Sequence, residues 1–346
     1  MESQKESKAV HFNSEDDHNI RTRIRRLSDR YFFPKNYDPP VWDPLNDDDF
    51  DVDETIVFYG QRRDGKSTLS RYLMLKLRRY FPLVYVFSGT AFNNYWQQVV
   101  PARHVIQVDL ETKDGREASL NVPCQKLLNL SSARYSEWKA AERDHEASGN
   151  PLVLMLGDDI VTNNTMRQCP AISQLVMNGR HHGIAGWFLT QTWGGLTPNQ
   201  RKNIDRFILF KATDFNVEHW VLDTYGAHVV DMYRRVTDEP FTAFVIVNKS
   251  RVSQTRFYKF KADVSWVNNM LGRNVVMGNK RAWGDVDPAE QKAEMPYVDV
   301  NAKRLKTRFQ QDVGVKKEGA FEDGELHSVS TEVPEEGPPI EVFRSW

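Results

Sequence analysis

Gly60-Gln61-Arg62-Arg63-Asp64-Gly65-Lys66-Ser67 stands directly behind the apolar, β-rich run Ile56 to Tyr59 and ahead of Thr68 to Tyr80, where Leu69, Leu73 and Leu77 recur at helical spacing. The octapeptide fits GxxxxGK[ST], and a strand before it with a helix after it is the setting in which that pattern forms a phosphate-binding loop. Such a loop turns its backbone N–H groups inward on phosphate oxygens. Glycine must therefore stand wherever a Cβ would block the chain or the ligand, and Gly60 and Gly65 occupy those places. Lys66 reads as the point charge on the β- and γ-phosphates and Ser67 as the hydroxyl that meets Mg²⁺, while the helix opening at Thr68 adds its positive end. With Gln61, Arg62, Arg63 and Asp64 completing the turn, residues 60–68 are the expected nucleotide-binding segment. An accidental glycine turn would not carry this flanking strand and helix.

The chain has 346 residues, 40% of them hydrophobic, enough for the core of one large domain or two ordinary ones. No apolar run approaches the roughly 20 residues of a membrane helix. Met1 to Ser7 is polar and unlike a secretory leader, so no membrane association is expected. Two cysteines, Cys124 and Cys169, are too few for a disulfide framework or a zinc site and fit a reducing compartment. A net charge of -1 argues against a uniformly basic DNA-coating protein, but not against one surface or channel that concentrates positive charge.

Residues 1–54 are polar, with a basic cluster at Arg21, Arg23, Arg25 and Arg26 and an acidic run at Asp47, Asp48, Asp49, Asp51 and Asp53. They read as a mobile arm, its basic cluster either touching nucleic acid or lying on a solvated helix. Residues 55–267 read as an α/β core. Apolar strands recur at Ile56 to Tyr59, Leu83 to Phe87, Val105 to Val108, Leu152 to Leu156, Trp187 to Thr190, Phe207 to Phe210 and Ala243 to Val247. Several are unbroken apolar runs, as in strands buried on both faces of a largely parallel sheet. Ser131 to Ala147 reads as a surface helix with Tyr135, Trp138 and Ala141 facing inward. Residues 268–346 form a polar extension without clear period beyond Asp285, in which Phe343 and Trp346 are the candidate anchors for a partner.

Leu152 to Asp159 is an apolar strand ending in two carboxylates. Such a strand is expected beside the first one, with Asp158 holding Mg²⁺ and Asp159 orienting the attacking water. The alternative is a plain acidic pair at a strand end, which the phosphate loop upstream disfavours. The next strand ends in Gln191, whose amide suits a sensor of the γ-phosphate and the lytic water. Ahead of it stands Gly179-Arg180-His181-His182-Gly183. Arg180 is placed on the rim of the sheet, where it either reaches a neighbouring subunit's nucleotide or caps its own helix. Arg201 and Arg206 are the next candidates for the trans-acting role. His181 and His182 point to opposite sides and lack a third ligand, so they are not read as a metal site.

The order of phosphate loop, Asp-Asp strand, GRHHGIAGWFLTQTW and LTPNQRKNIDRFILFK, with Ser88-Gly89-Thr90 after the second strand, resembles the FtsK-HerA superfamily of DNA-pumping ATPases. In particular it is similar to the poxvirus-type genome-packaging ATPases of large double-stranded DNA viruses, over roughly Thr55 to Lys211. The resemblance implies a P-loop NTPase of the RecA-like ASCE class with ATP and Mg²⁺ as ligands. It implies Lys66 and Ser67 on phosphate and metal, Asp158 and Asp159 at the hydrolytic centre, Gln191 as sensor and Arg180 as the finger acting across subunits. Arg201, Asn203 and Asp205 match the family's segment after the sensor without an assigned role. It also implies double-stranded DNA as partner, a homo-oligomeric ring of five or six subunits, capsid or portal-vertex contacts, and work in the cytoplasm of an infected host cell or on the virion. Two departures stand out: Gly157 interrupts the apolar run, and the second acid is Asp where many cellular relatives have Glu.

A cellular DNA pump or helicase would share most of these residues. A regulatory GTPase would need an Asn-Lys-x-Asp turn, whereas Asn248-Lys249-Ser250-Arg251 ends in Arg. A small-molecule kinase would need neither the glutamine nor the rim arginine, and the intact acid pair speaks against a nucleotide-gated scaffold without hydrolysis.

Overall fold

The computed structural model describes residues 37–47, 49–141, 150–162, 165, 168–212, 214–248 and 257–278. Eight strands form one sheet: β1 (Ile56–Tyr59), β2 (Leu83–Ser88), β3 (Val105–Gln107), β4 (Val153–Asp158), β5 (Ile184–Thr190), β6 (Arg206–Leu209), β7 (Thr242–Val247) and β8 (Phe257–Lys261). Their order is β3-β2-β4-β5-β1-β6-β7-β8. The six from β3 to β6 run parallel, and β7 and β8 are added antiparallel. Every residue of β1, β2, β4, β5, β6 and β7 is buried, which is why those strands read as runs and not as alternations.

Helices cover both faces. One core layer sets α2 (Val122–Ala140), α3 (Pro170–Asn178), α5 (Phe215–Tyr225) and α6 (Ala227–Asp238) against the sheet through Leu127, Leu175, Val221 and Tyr233. The opposite layer holds α1 (Lys66–Lys76) and α7 (Val264–Gly272) through Leu69, Leu73, Val267 and Met270. A short α4 (Pro198–Asn203) leads into β6, started by a reciprocal cap between Thr197 and Gln200. Tyr135 and Trp138 face inward as expected, but α2 begins at Val122, well ahead of Ser131. Ala141 is only its half-buried C-cap, and 142–149 lie outside the described residues. Gly157 sits inside β4 without ending it.

Three expectations are corrected. The acid strand does not lie beside the first one, because β5 is inserted between β1 and β4. At about 4.8 Å per strand the acids therefore stand about 10 Å to the side of the loop strand, with the end of β5 filling the space between. The arm expected to run to residue 54 is packed from Tyr37 onward. Trp42 and Phe50 are buried, and Trp42 N and Lys259 N donate to Lys259 O and Pro40 O at 2.8 and 2.9 Å, extending the sheet edge beyond β8. Asp47 of the acidic run is likewise used inside the fold: Arg206, fully buried, donates to Glu54 at 2.8 Å and Asp47 at 3.0 Å while lying over the rings of Trp42 and Phe50. Finally, the core passes residue 267, since α7 runs on to Gly272 and buried Met277 donates its N–H to Val99 O at 2.7 Å. The basic cluster of residues 21–26, and Phe343 and Trp346, lie outside the described residues.

Candidate nucleotide-binding and hydrolysis site

The loop after β1 has the backbone its glycines foretold. Gly65 is at φ 101°, a left-handed position that caps α1, and a Cβ on Gly60 would come within 2.8 Å of Phe210 Cβ. Lys66 is buried, its Nζ donating to the carbonyls of Gly60 at 2.8 Å and Gln61 at 2.7 Å, so the ammonium ties down the start of the loop. Asp64 folds back in the same way, accepting the Gln61 N–H at 2.5 Å. Burial holds the Lys66 ammonium below the usual lysine range, against the opposing pull of Asp159, Asp64 and Asp158. A cavity of about 440 Å³ opens at this point. Arg62, Arg63, Gly65, Lys66, Ser67 and Thr68 line it from the loop, Asp159 and Gln191 from the neighbouring strand ends.

Parallel register sets the acids. Ser88, Asp158 and Leu189 stand in one row across β2, β4 and β5, and Asp159 follows at φ 55° with its N–H on Leu189 O at 3.0 Å. The left-handed turn separates the two carboxylates. Asp159 lines the cavity, and its Oδ2 accepts the Gln191 amide at 2.7 Å. Asp158 stays buried, its Oδ2 accepting the Trp96 indole N–H at 2.9 Å and the Ser88 hydroxyl at 3.3 Å. Burial pushes the Asp158 carboxyl above its ordinary value and Asp159 adds to the rise, while the bonds from Trp96 and Ser88 oppose it. Among the described residues no three His, Cys, Asp or Glu side chains gather as a metal cage. The Asp158 carboxylate and the Ser67 hydroxyl are oxygen donors of the kind Mg²⁺ takes, but Asp158, unlike Ser67, is not among the residues that line the cavity.

Other lining residues came from outside the motifs. Tyr95 belongs to the loop after β2, Lys261, Ala262 and Val264 to the β8–α7 junction, and Phe241 to the turn before β7. Phe241 is 63% exposed and held at φ 60°, an unusual state for a bulky residue. Its only sequence signal is Pro240 ahead of it.

Arg180 is not brought to this cavity. It sits in the turn Gly179–His182 before β5, on the opposite edge of the sheet, 40% exposed and 3.6 Å from Asp205, whose other oxygen accepts the Thr55 N–H at 2.9 Å. Arg206 is excluded as a trans-acting finger by its complete burial. Arg201 donates to Leu196 O at 2.8 Å over the Trp193 ring, and Asn203 donates to Asn199 O at 2.8 Å, so both shape their own segment. Asn248 is likewise occupied, donating to the carbonyls of Arg201 and Ile204 at 3.0 and 2.8 Å. His182 is tied to α2 through Ser131 and Ser132.

Residues 43–277 match the family model described as Poxvirus A32 protein. The chain belongs to this family. The resemblance to poxvirus-type packaging ATPases, with the P-loop fold it implied, is thereby borne out, and the sheet order and loop geometry agree with it. The A32-family chain is 23% identical over 199 residues to uncharacterized protein 088R of Invertebrate iridescent virus 3, covering 56% of this chain and 69% of that one. It is 26% identical over 162 residues to protein 075L of Invertebrate iridescent virus 6, covering 46% and 55%. It is thus matched along little more than half the length of the latter. Among solved structures it is similar to the genome packaging NTPase B204 of Sulfolobus turreted icosahedral virus 2 in complex with ATP-gammaS, at 16% identity and a TM-score of 0.39 over 62% of this chain and 99% of that one. EssC from Geobacillus thermodenitrificans gives 17% identity and a TM-score of 0.46 over 70% and 46%.

Proposed function

We propose that this protein is an ATP-hydrolysing motor that moves double-stranded DNA, and that its task is to package a viral genome into a capsid. The observation that carries the reading is the convergence of Lys66, Ser67, Asp159 and Gln191, from three separate segments, on one cavity at the carboxyl edge of a parallel sheet. Loop N–H groups cradle the phosphates, and Lys66 exchanges the carbonyls of Gly60 and Gln61 for the γ-phosphate. Ser67 and Asp158 would hold Mg²⁺, which when bound would neutralise phosphate charge. Asp159 orients the attacking water, and Gln191, already bonded to Asp159, registers whether a γ-phosphate is present. Phe241, Ala262 and Val264 offer an apolar seat for the base. Arg180 acts on the nucleotide of the next subunit in a homo-oligomeric ring, since its own cavity lies across the sheet. Capsid or portal contacts and work in the cytoplasm of an infected cell follow from the packaging role; no described helix is long and apolar enough to cross a membrane.

The test is Mg²⁺-dependent ATP hydrolysis with and without duplex DNA. Stimulation by duplex of any sequence, weakening steeply with salt, is the expected result because ring cations grip phosphates and not bases. Hydrolysis that ignores duplex DNA even at low salt overturns the motor reading and leaves a kinase.

A further inference from the structure

We infer that Trp96 is a positioning residue that fixes the carboxylate of Asp158 for the metal, on a loop that Arg71 locks to the phosphate-loop helix. This rests on the reading of Asp158 as the metal acid. Trp96 is fully buried, and its indole N–H is 2.9 Å from Asp158 Oδ2, with the Ser88 hydroxyl on the same oxygen at 3.3 Å. An indole has one donor and no acceptor, so this bond fixes its direction: Trp96 can only hold the carboxylate, never compete with it for a cation. Both bonds fall on Oδ2, which leaves Oδ1 for the metal. The arrangement is that of an outer group orienting a ligand.

The loop itself is tied down from the nucleotide side. Arg71 of α1, buried, lays its guanidinium 3.4 Å from the centre of the Tyr95 ring, donates to the Tyr95 carbonyl, and reaches Gln98 Oε1 at 3.1 Å. Tyr95, next in chain to Trp96, lines the cavity beside Thr68. One face of residues 95–98 therefore grips the helix that starts at Lys66, and the other grips the acid at the end of β4. The helix that carries Lys66 and Ser67 and the end of β4 are thus held in register through Arg71, Tyr95 and Trp96.

Trp96→Phe keeps an aromatic ring in place and removes the N–H. In the full chain, the Mg²⁺ concentration that half-saturates ATPγS binding should rise about 10- to 100-fold, while metal-free ATPγS affinity and the melting temperature stay near wild type. Independently, the indole ¹H–¹⁵N resonance bonded to Asp158 should shift when Asp158→Asn is introduced and again when Mg²⁺ and ATPγS are added to the wild-type protein, a comparison needing no change at Trp96. Unaltered Mg²⁺ dependence in folded Trp96→Phe, or no indole resonance that responds to Asp158→Asn, overturns the inference. If Asp158→Asn itself leaves Mg²⁺ dependence unaltered, the reading of the metal acid fails instead.

Discussion

The two edges of the sheet carry the same kinds of charged residue and treat them in opposite ways. On the amino edge, Arg206 is buried with Glu54 and Asp47 and flanked by Trp42 and Phe50. Burial works against the guanidinium charge, but the two carboxylates more than offset it and its pKa is raised. On the carboxyl edge, Lys66 is turned onto its own backbone carbonyls, and Asp158 is buried with neutral donors only. The pKa shifts of Lys66 and Asp158 both disfavour charge. The Arg206 charge is matched at contact distance inside the chain, whereas Lys66 and Asp158 have only neutral hydrogen-bond partners and feel opposite charges at longer range, the pattern of perturbed groups that marks a functional site.

That contrast can be broken by mutation. Lys66→Ala should remove ATP turnover altogether, a loss of more than about 10³-fold, with the protein still folded by circular dichroism; an unfolded variant would make Lys66 architecture as well. Asp159→Asn should retain ATP binding by calorimetry and slow hydrolysis by about 10²-fold or more, because only the orientation of the water is lost. Arg206→Ala acts on the other edge and leaves two carboxylates buried without their cation. It should cost about 3–5 kcal/mol in denaturant unfolding, and a variant of near wild-type stability would contradict the architectural reading.

The smallest effect has the opposite sign. Because the Asp158 carboxyl is raised above its ordinary 3.8 in the folded chain, the folded state holds that proton more tightly than the unfolded one. Its contribution to stability is therefore most favourable below the unfolded pKa and declines as pH rises through the folded value. At neutral pH and without metal, Asp158→Asn should raise the melting temperature slightly, because a buried charge is removed, while the further rise that Mg²⁺ adds in the presence of ATP is lost. Thermal denaturation with and without both ligands measures it.

The carboxyl edge was legible in sequence wherever neighbours in the chain are neighbours in space: the eight-residue loop, the acid pair at a strand end, the glutamine closing the next strand. What escaped depends on partners far apart in sequence. Trp96 meets Asp158 across 62 positions and Arg206 meets Glu54 across 152, so Asp47 and Glu54, in a stretch that looks like a solvated arm, become the anions of a buried ion cluster. β8 escaped for a different reason: Phe257-Tyr258-Lys259-Phe260-Lys261 carries two lysines and forms no apolar run, and it is defined by pairing with β7. The insertion of β5 between β1 and β4 is likewise a matter of topology, invisible to strand composition.

If the account is right, the two edges meet only in an assembly, where Arg180 of one subunit faces the loop of the next. The most direct measurement is ATP turnover of Arg180→Ala and Lys66→Ala, each alone and mixed. Arg180→Ala should bind ATP almost normally and hydrolyse about 10³- to 10⁵-fold more slowly than the assembled wild type. Mixing the two inactive proteins should restore partial turnover, because some interfaces then pair an intact loop with an intact arginine. An Arg180→Ala protein that fails to bind ATP or to fold, with no recovery on mixing, would make Arg180 one more internally matched charge through Asp205 and contradict the account.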